Sequence, residues 1–203
     1  MTSDRATPLP DGGTPMLERT VTVSEAELKS IMGAAVDAAQ QGGNVRGTYR
    51  VEVNLLDKVR VEAKARDFRL IIDEPPSFGG ADAGPNPEEV LLAGLGACQA
   101  ITAALYAALL EIPIRSYSVP LIGDADFSGF YGLSDDPPVG FDRVRCEVTI
   151  EGDAPEERLR EFERLVEDRC VGHGTIRKPV PIETTWRIRG VDTTPAPAAG
   201  SAT

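Results

Sequence analysis

Apolar and polar residues follow two different periods along this chain, and the period changes near residue 45. Between residues 24 and 41 the apolar side chains recur at the spacing of an amphipathic α-helix. Ser24 and Glu27 have the spacing of a capping box, and Gly42 follows the last apolar turn. The pattern predicts a helix of about five turns. Its apolar face needs a partner, either the body of the same chain or another subunit.

From Thr48 onward apolar and charged residues alternate with a period of two, which is typical of half-buried β-strands. The first two alternating stretches are TYRVEVNLL and KVRVEAKA, with a hairpin turn expected at Asp57 and Lys58. A third stretch, FRLIIDEP, stops at two prolines. The sequence therefore predicts three hairpin-linked strands in this part of the chain.

Residues 90–110 form an apolar run of 21 residues, long enough to cross a bilayer. However, the run is rich in Ala and Gly, Gln99 and Thr102 interrupt it, and neither an aromatic belt nor a Lys/Arg cluster flanks it. Asn86 is a suitable N-cap ahead of it, and the run ends near Glu111. We interpret this stretch as a buried central helix and expect no association with a membrane.

The second half of the chain carries weaker patterns. RSYSVPLIGDA and DRVRCEVTIEGD each predict one strand, and a Gly/Pro-rich loop or extended arm at residues 126–139 separates them. Asp153 is expected to cap a second helix that ends near Cys170, followed by a loop and a last strand near residues 182–188. This order predicts an α+β domain with a mainly antiparallel sheet and helices on one face.

The same patterns divide the chain into four parts. We expect a disordered tail at residues 1–19, a helical N-terminal extension at 20–44, one domain at 45–190, and a second disordered tail at 191–203.

Charge and cysteine content narrow the function classes. The 203 residues include 32 Asp and Glu against 21 Lys and Arg, for a net charge of −11. Binding of nucleic acid or of anionic membranes needs clustered positive charge, so neither is expected. The N-terminal residues lack the apolar core of a signal peptide, and three cysteines do not make a disulfide framework. We therefore expect a cytoplasmic protein.

Few residues remain as candidates for chemistry. Phosphate-loop, dinucleotide and Gly-x-Ser-x-Gly signatures are missing from the sequence. His173 is the only histidine, and although Cys170 lies at ligand-like spacing from it, a closed zinc site needs four ligands. We expect no metal and no cofactor. Of the three thiols, Cys146 lies on a predicted strand among charged residues and is interpreted as an inert side chain.

Two motifs around the other two cysteines resemble those of one family. GPNPEEVLLAGLGACQAITA, with DEPPSFGG upstream, is similar to the helix motif of the OsmC/Ohr family, the osmotically induced and organic hydroperoxide resistance proteins. CVGHGTIRKPVPIE is similar to the second motif of that family, and the resemblance spans residues 46–190. It implies an OsmC-like α+β fold with a long buried central helix bearing Cys98. It also implies an intertwined homodimer with active sites at the subunit interface.

The resemblance implies a thiol-dependent peroxidase that reduces organic or hydrogen peroxides. Cys98 matches the peroxidatic thiol, Cys170 the resolving thiol, and Glu88 the glutamate that pairs with an arginine beside the reactive sulfur. An external dithiol, such as a dihydrolipoyl group, is the implied reductant. The alternative is a catalytically weak OsmC-like dimer that binds small apolar or thiol-bearing molecules.

The chain departs from the family pattern at the arginine and after the second cysteine. Burial raises the pKa of a thiol, so a reactive thiol in an apolar helix needs a nearby cation. The Gly-Gly-Arg turn of the family is absent; Arg66 is our first candidate, followed by Arg69 and Arg60. In place of the family's Cys-Pro-Val-Ser, Cys170 begins Cys-Val-Gly-His.

A third departure concerns Glu88, which precedes Cys98 by ten residues. In an unbroken helix that separation is a rise of about 15 Å, too far for direct contact. Either Gly94 and Gly96 break the helix, or a long arginine side chain bridges the two residues.

Overall fold

The computed structural model describes residues 25–133 and 139–190, so both expected tails lie outside the described residues. It is an α+β fold, as predicted, with three antiparallel sheets in the strand orders β1-β2-β3, β4-β7 and β5-β6. The helices and strands are α1 (Glu25–Gln40), β1 (Glu52–Asp57), β2 (Arg60–Ala65), β3 (Phe68–Ile72), α2 (Pro87–Leu110), β4 (Ile114–Ser118), β5 (Leu121–Asp126), β6 (Gly140–Cys146), β7 (Thr149–Gly152), α3 (Glu156–Arg169) and α4 (Val171–Ile176).

Helix α1 packs against α2 of the same chain, which is one of the two partners expected for it. An ion pair between Lys29 and Glu111 joins the two helices. A left-handed Gly42 ends α1, and the N–H of Gly43 donates to the carbonyl of Ala38 over 2.8 Å. The predicted cap residue Ser24 lies outside the described residues.

The sheet β1-β2-β3 confirms the two predicted hairpins. Its apolar side chains have little cover within the chain, because the sheet has no substantial packing against α2, α3 or α4 among the described residues. Val53, Leu55 and Phe68 are all exposed.

Helix α2 begins and ends as predicted. Asn86 caps it through a capping box with Glu89, whose N–H donates to the Asn86 side chain over 2.8 Å. The helix continues without a break through Gly94 and Gly96, so the idea that these glycines interrupt it is wrong. By length and composition alone it could also cross a membrane. Its neighbours are instead α1, α3, α4, β4 and β5.

The two strands predicted between α2 and α3 are each split in the structure. Pro120 separates β4 from β5, since proline has no N–H for a sheet, and its carbonyl accepts from the N–H of Glu147 over 3.1 Å. At this point the chain passes from pairing with β7 to pairing with β6. Four short strands therefore replace two long ones. Of the 126–139 arm, residues 134–138 lie outside the described residues.

Helix α3 supplies the centre of the core. Phe162 and Val166 pack with Ala103 and Ala107 of α2. The predicted N-cap, Asp153, is wrong, because α3 begins two residues later and Asp153 instead pairs with Arg115. The predicted end of the helix near Cys170 is confirmed, because Cys170 is its C-cap.

The last described segment differs most from the prediction. Residues 171–176 form helix α4 rather than a loop, and no strand is assigned within residues 178–190. A strand needs a neighbour to bond its backbone groups, and the chain provides none here. Trp186 and Ile188 remain 81% and 87% exposed.

Candidate functional site

The α3–α4 junction brings Cys170 to Cys98 in the middle of α2. Cys170 is at once the C-cap of α3 and the N-cap of α4, so it holds the two helices at an angle against α2. The N–H of Gly172 donates to the Sγ of Cys98 over 3.2 Å. The Cys98 side chain lies close enough to Cys170 to raise the pKa of its thiol, and both residues are free cysteines. The fold thus unites the two cysteines that the sequence singled out.

Gly172 lies at the closest approach of α4 to α2. A Cβ on this residue would lie 3.2 Å from the Cβ of Cys98 and 3.2 Å from the Cδ1 of Leu95. Few real Cβ contacts are that tight, so a larger residue would require the neighbouring atoms to shift by a few tenths of an ångström. The Cys-Val-Gly-His departure noted in the sequence therefore places a glycine where the two helices touch.

Cys170 is almost fully buried, with 2% of its surface exposed. Burial raises the pKa of its thiol, and the hydrogen bond and charge of Cys98 act in the same direction. The backbone N–H groups of His173 and Gly172 oppose these effects without reversing them. Cys170 is therefore a protonated thiol at neutral pH.

The third cysteine, Cys146, is closer to this pair than sequence reasoning suggested. It lies opposite Leu121 in the β5–β6 register, and the Cδ1 of Leu121 would lie 2.6 Å from a Cβ on Gly96 of α2. Burial raises the pKa of Cys146, and the charges of Glu167 and Cys170 add to it. Leu121 and Cys146 share a face of their sheet, so the register alone would have placed this thiol on the side of α2.

Tyr117 is near enough to Cys170 and Cys146 for their charges to affect its pKa. Burial raises its pKa to about 12, and the charges of Cys170 and Cys146 contribute. Its side chain packs against the hydrophobic core. No local sequence pattern pointed to this residue, because its position follows from tertiary packing.

Two buried polar atoms next to the thiol pair have no hydrogen-bond partner among the residues that the structure describes. One is Oε1 of Gln99, a residue only 2% exposed, and the other is Nδ1 of His173. Burial lowers the pKa of His173 and the charge of Arg177 adds to this, while Glu167 acts in the opposite direction. The imidazole is therefore neutral at neutral pH. Within residues 25–133 and 139–190 no group of three or more His, Cys, Asp or Glu side chains is arranged to hold a metal ion.

The three candidate arginines all lie on the β1–β3 sheet. Arg66 sits in the β2–β3 turn with a positive φ of 56°, and its guanidinium stacks 5.0 Å from the ring centre of Phe68. Arg69 and Arg60 pair with carboxylates of the same sheet. Since that sheet packs little on α2, a single chain does not unite these arginines with Cys98.

Glu88 lies in the first turn of α2, ten residues before Cys98 on a continuous helix. It lines an apolar cavity of about 270 Å³ together with Leu91 and aromatic side chains of β6 and of the segment that follows β5. These aromatic residues are Phe127, Phe130 and Phe141. Glu88 and Cys98 are therefore not in contact within one chain.

Known proteins are similar to this chain in sequence and in fold. The chain is 27% identical over 131 residues to the hydroperoxide reductase of Mycoplasma genitalium, which covers 63% of the chain and 86% of that protein. Its fold is similar to the crystal structure of an OsmC-like protein from Mycoplasma pneumoniae, with a TM-score of 0.56 and 24% identity over 66% of this chain and 89% of that one.

A protein from Aquifex aeolicus shows a similar fold, with a TM-score of 0.51 and 16% identity over 65% of this chain and 89% of that one. The family model described as OsmC-like protein matches residues 79–185, more than half of the chain, and this range contains Cys98, Cys170 and Glu88. The chain therefore belongs to the OsmC-like protein family.

Proposed function

We propose that this protein is a thiol-dependent peroxidase that reduces organic or hydrogen peroxides through Cys98 and Cys170. The observation that carries the proposal is the hydrogen bond from the N–H of Gly172, two residues after Cys170, to the Cys98 sulfur, which brings the two cysteines close together. A relative that covers most of the domain, from Mycoplasma genitalium, is a hydroperoxide reductase, which supports a role connected with peroxides.

In the first step the thiolate of Cys98 attacks one oxygen of the peroxide O–O bond. An S–O bond forms while the O–O bond breaks, and the alkoxide or hydroxide that leaves takes up a proton as alcohol or water. The sulfur loses two electrons and becomes a sulfenic acid.

In the second step the thiolate of Cys170 attacks the Cys98 sulfur. An S–S bond forms, the S–O bond breaks, and hydroxide leaves as water. An external dithiol, such as a dihydrolipoyl group, then reduces the disulfide by two exchange reactions and is itself oxidised to a disulfide. Such reductants are maintained in the cytoplasm, where we propose that the protein acts.

We further propose that the domain of residues 45–190 forms an intertwined homodimer, extended by the helical segment 20–44. Two apolar surfaces support this proposal: the exposed β1–β3 sheet, and residues 178–190 with Trp186 and Ile188. A second subunit would cover both surfaces. It would also allow Arg66 of one subunit to approach Cys98 and Glu88 of the other.

The apolar cavity beside Glu88 favours a second candidate function. A dimer that binds small apolar or thiol-bearing molecules, without efficient peroxidase turnover, would use this cavity as its site. The two functions differ in whether Cys98 is oxidised by peroxide.

The deciding experiment treats the reduced protein with one equivalent of tert-butyl or cumene hydroperoxide, followed by mass spectrometry. The peroxidase proposal expects a Cys98–Cys170 disulfide. Cys98→Ser should abolish turnover with a dithiol, and Cys170→Ser should stop after one event. If Cys98 stays reduced while Cys146 or a methionine is oxidised, the peroxidase proposal fails.

A further inference from the structure

We propose that the backbone N–H of Gly172 stabilises the thiolate of Cys98, and that glycine at residue 172 favours the close approach of this N–H to the sulfur. Gly172 is thus a positioning residue for the nucleophile. The inference rests on the proposed role of Cys98 as the attacking group. It concerns the charge state of the sulfur and not its reaction with peroxide.

The N–H of Gly172 offers a stabilising interaction for the negative charge on the Cys98 sulfur, which the candidate arginines of the same chain do not reach. The Gly172 nitrogen lies 3.2 Å from the Cys98 sulfur, within the distance for a hydrogen bond to sulfur. A donor that points at a sulfur favours the charged form, because the bond strengthens when the acceptor is an anion. When Cys98 ionises, its proton goes to solvent and the N–H keeps its own proton.

The second argument is steric. A Cβ on residue 172 would meet the Cβ of Cys98 and the Cδ1 of Leu95, both at 3.2 Å. The Cβ of Cys98 is fixed to the backbone of α2, which is packed on several elements, so it can shift less readily than the end of the Leu95 side chain. We therefore expect a larger residue at position 172 to lengthen the distance from the N–H to the sulfur.

The same short helix offers a matched control. Gly174, two residues further on, has nothing within 4 Å of a built Cβ. An alanine at either position favours helix to the same extent, because both glycines lie in α4. Only the change at residue 172 alters the approach to Cys98.

The experiment compares Gly172→Ala with Gly174→Ala in the full chain. Alkylation of Cys98 by iodoacetamide is followed against pH, with mass spectrometry to separate it from Cys146 and Cys170. We expect Gly172→Ala to react about tenfold more slowly at neutral pH, the size of a weakened hydrogen bond to a charged group. Its rate profile should move to higher pH. Gly174→Ala should follow the wild type, and identical profiles for the two variants would overturn the proposal.

A measurement without a change at residue 172 covers the case in which Gly172→Ala does not fold. In ¹H–¹⁵N spectra of the reduced wild-type protein, the amide proton of Gly172 should move with the same pH profile as the alkylation of Cys98. This step should disappear in Cys98→Ser and persist in Cys170→Ser. If the amide chemical shift of Gly172 does not change as Cys98 ionises, the proposed hydrogen bond to the thiolate is contradicted.

Neither measurement uses peroxide, so the two proposals can fail separately. If both tests succeed but Cys98 is not oxidised by hydroperoxide, the proposed hydrogen bond is supported and the peroxidase function is contradicted. If hydroperoxide produces the Cys98–Cys170 disulfide but Cys98 in Gly172→Ala is alkylated at the wild-type rate, the peroxidase function is supported and the role of Gly172 is contradicted.

Discussion

Glu88 and Cys98 stand ten residues apart on one uninterrupted helix, α2. The rise between them is about 15 Å, so their side chains cannot touch. The sequence left two ways in which Glu88 could act on Cys98. The continuous helix excludes a break in α2, so an arginine that bridges the two residues remains. Since the β1–β3 sheet packs little on its own helices, we expect that arginine to come from the second subunit.

Mixed dimers test whether Arg66 acts across the interface. The Arg66→Gln variant keeps the Cys98 thiol and lacks the Arg66 guanidinium, and the Cys98→Ser variant keeps the guanidinium and lacks the thiol. When the two variants are co-expressed, half of the dimers are mixed and each contains one complete site, so about a quarter of wild-type peroxide turnover should return. The measurement is the initial rate of hydroperoxide consumption with a dithiol.

Arg69→Gln is the matched control for this experiment. It removes a positive charge from the same sheet, where Arg69 pairs with Glu62 over 2.5 Å, and it should retain the wild-type rate by itself. No recovery in the mixture would mean that Arg66 does not act from the partner. A large loss in Arg69→Gln would transfer the role to Arg69.

The raised pKa of Cys170 predicts a resolving step that accelerates with pH. Since burial lifts this pKa above the ordinary value of 9.0, the thiolate fraction should rise about tenfold per pH unit throughout the neutral range. Sulfenic acid on Cys98 should therefore persist longer at pH 6.5 than at pH 8.5. Trapping with dimedone and mass spectrometry measures it. Equal trapping at both pH values would contradict the prediction, and Cys170→Ser gives the level without resolution.

Local signals made part of this fold predictable. The Asn86 cap, the turn at Asp57 and Lys58, and the end of α3 at Cys170 were all correct, because each depends on residues close in sequence. The splits at Pro120 and before β7 were missed, since alternation continues across both. Helix α4 was missed because Gly172 and Gly174 are poor helix formers, and packing on α2 overrides that preference.

The candidate site was predictable only as a pair of cysteines. Sequence motifs picked out Cys98 and Cys170, and the structure places them together. Long-range packing brings the N–H of Gly172 to the Cys98 sulfur and places Tyr117 and Cys146 near Cys170. No local pattern encodes such contacts, so no reading of a single sequence would have found them.

Substitutions of two phenylalanines, Phe162 and Phe68, distinguish the contribution of the core to stability from that of the proposed dimer interface. Phe162→Ala removes a 1% exposed side chain from the core and should cost about 3–5 kcal/mol of unfolding free energy. Phe68→Ala removes an exposed ring from the β1–β3 sheet and should mainly weaken dimerisation. Denaturant titrations at several protein concentrations distinguish the two. The loss in Phe68→Ala should depend on concentration, and an equal loss in both variants at every concentration would argue against the dimer.

Asp73 should make the loop before α2 sensitive to acid. Burial by itself would raise its pKa, but the N–H groups of Ala83, Ala81 and Glu74 bond its carboxylate and hold the pKa below 3.8. A lowered folded pKa gives stability that is present above the unfolded pKa and lost as pH falls through the folded one. Asp73→Asn should therefore lower the Tm at pH 7, and the difference from wild type should shrink below about pH 4.

The exposed Asp82 in the same loop serves as the control for Asp73. It has a positive φ of 56°, a conformation that asparagine adopts readily, so Asp82→Asn should leave the Tm unchanged. Thermal unfolding between pH 3 and pH 7 provides the comparison. A constant difference between Asp73→Asn and wild type across this range would show that the carboxylate charge is irrelevant.

Residues 178–190 end the described chain with no helix or strand assigned to them, and their apolar side chains Trp186 and Ile188 are exposed among the described residues. If a second copy is what covers Trp186 and Ile188, abundance in the cell becomes part of the protein's stability. Each tenfold dilution would then remove about 1.4 kcal/mol from the dimer relative to its separated chains. A newly made chain would expose these side chains to proteases until it met another, so synthesis in bursts, as under stress, would favour its survival.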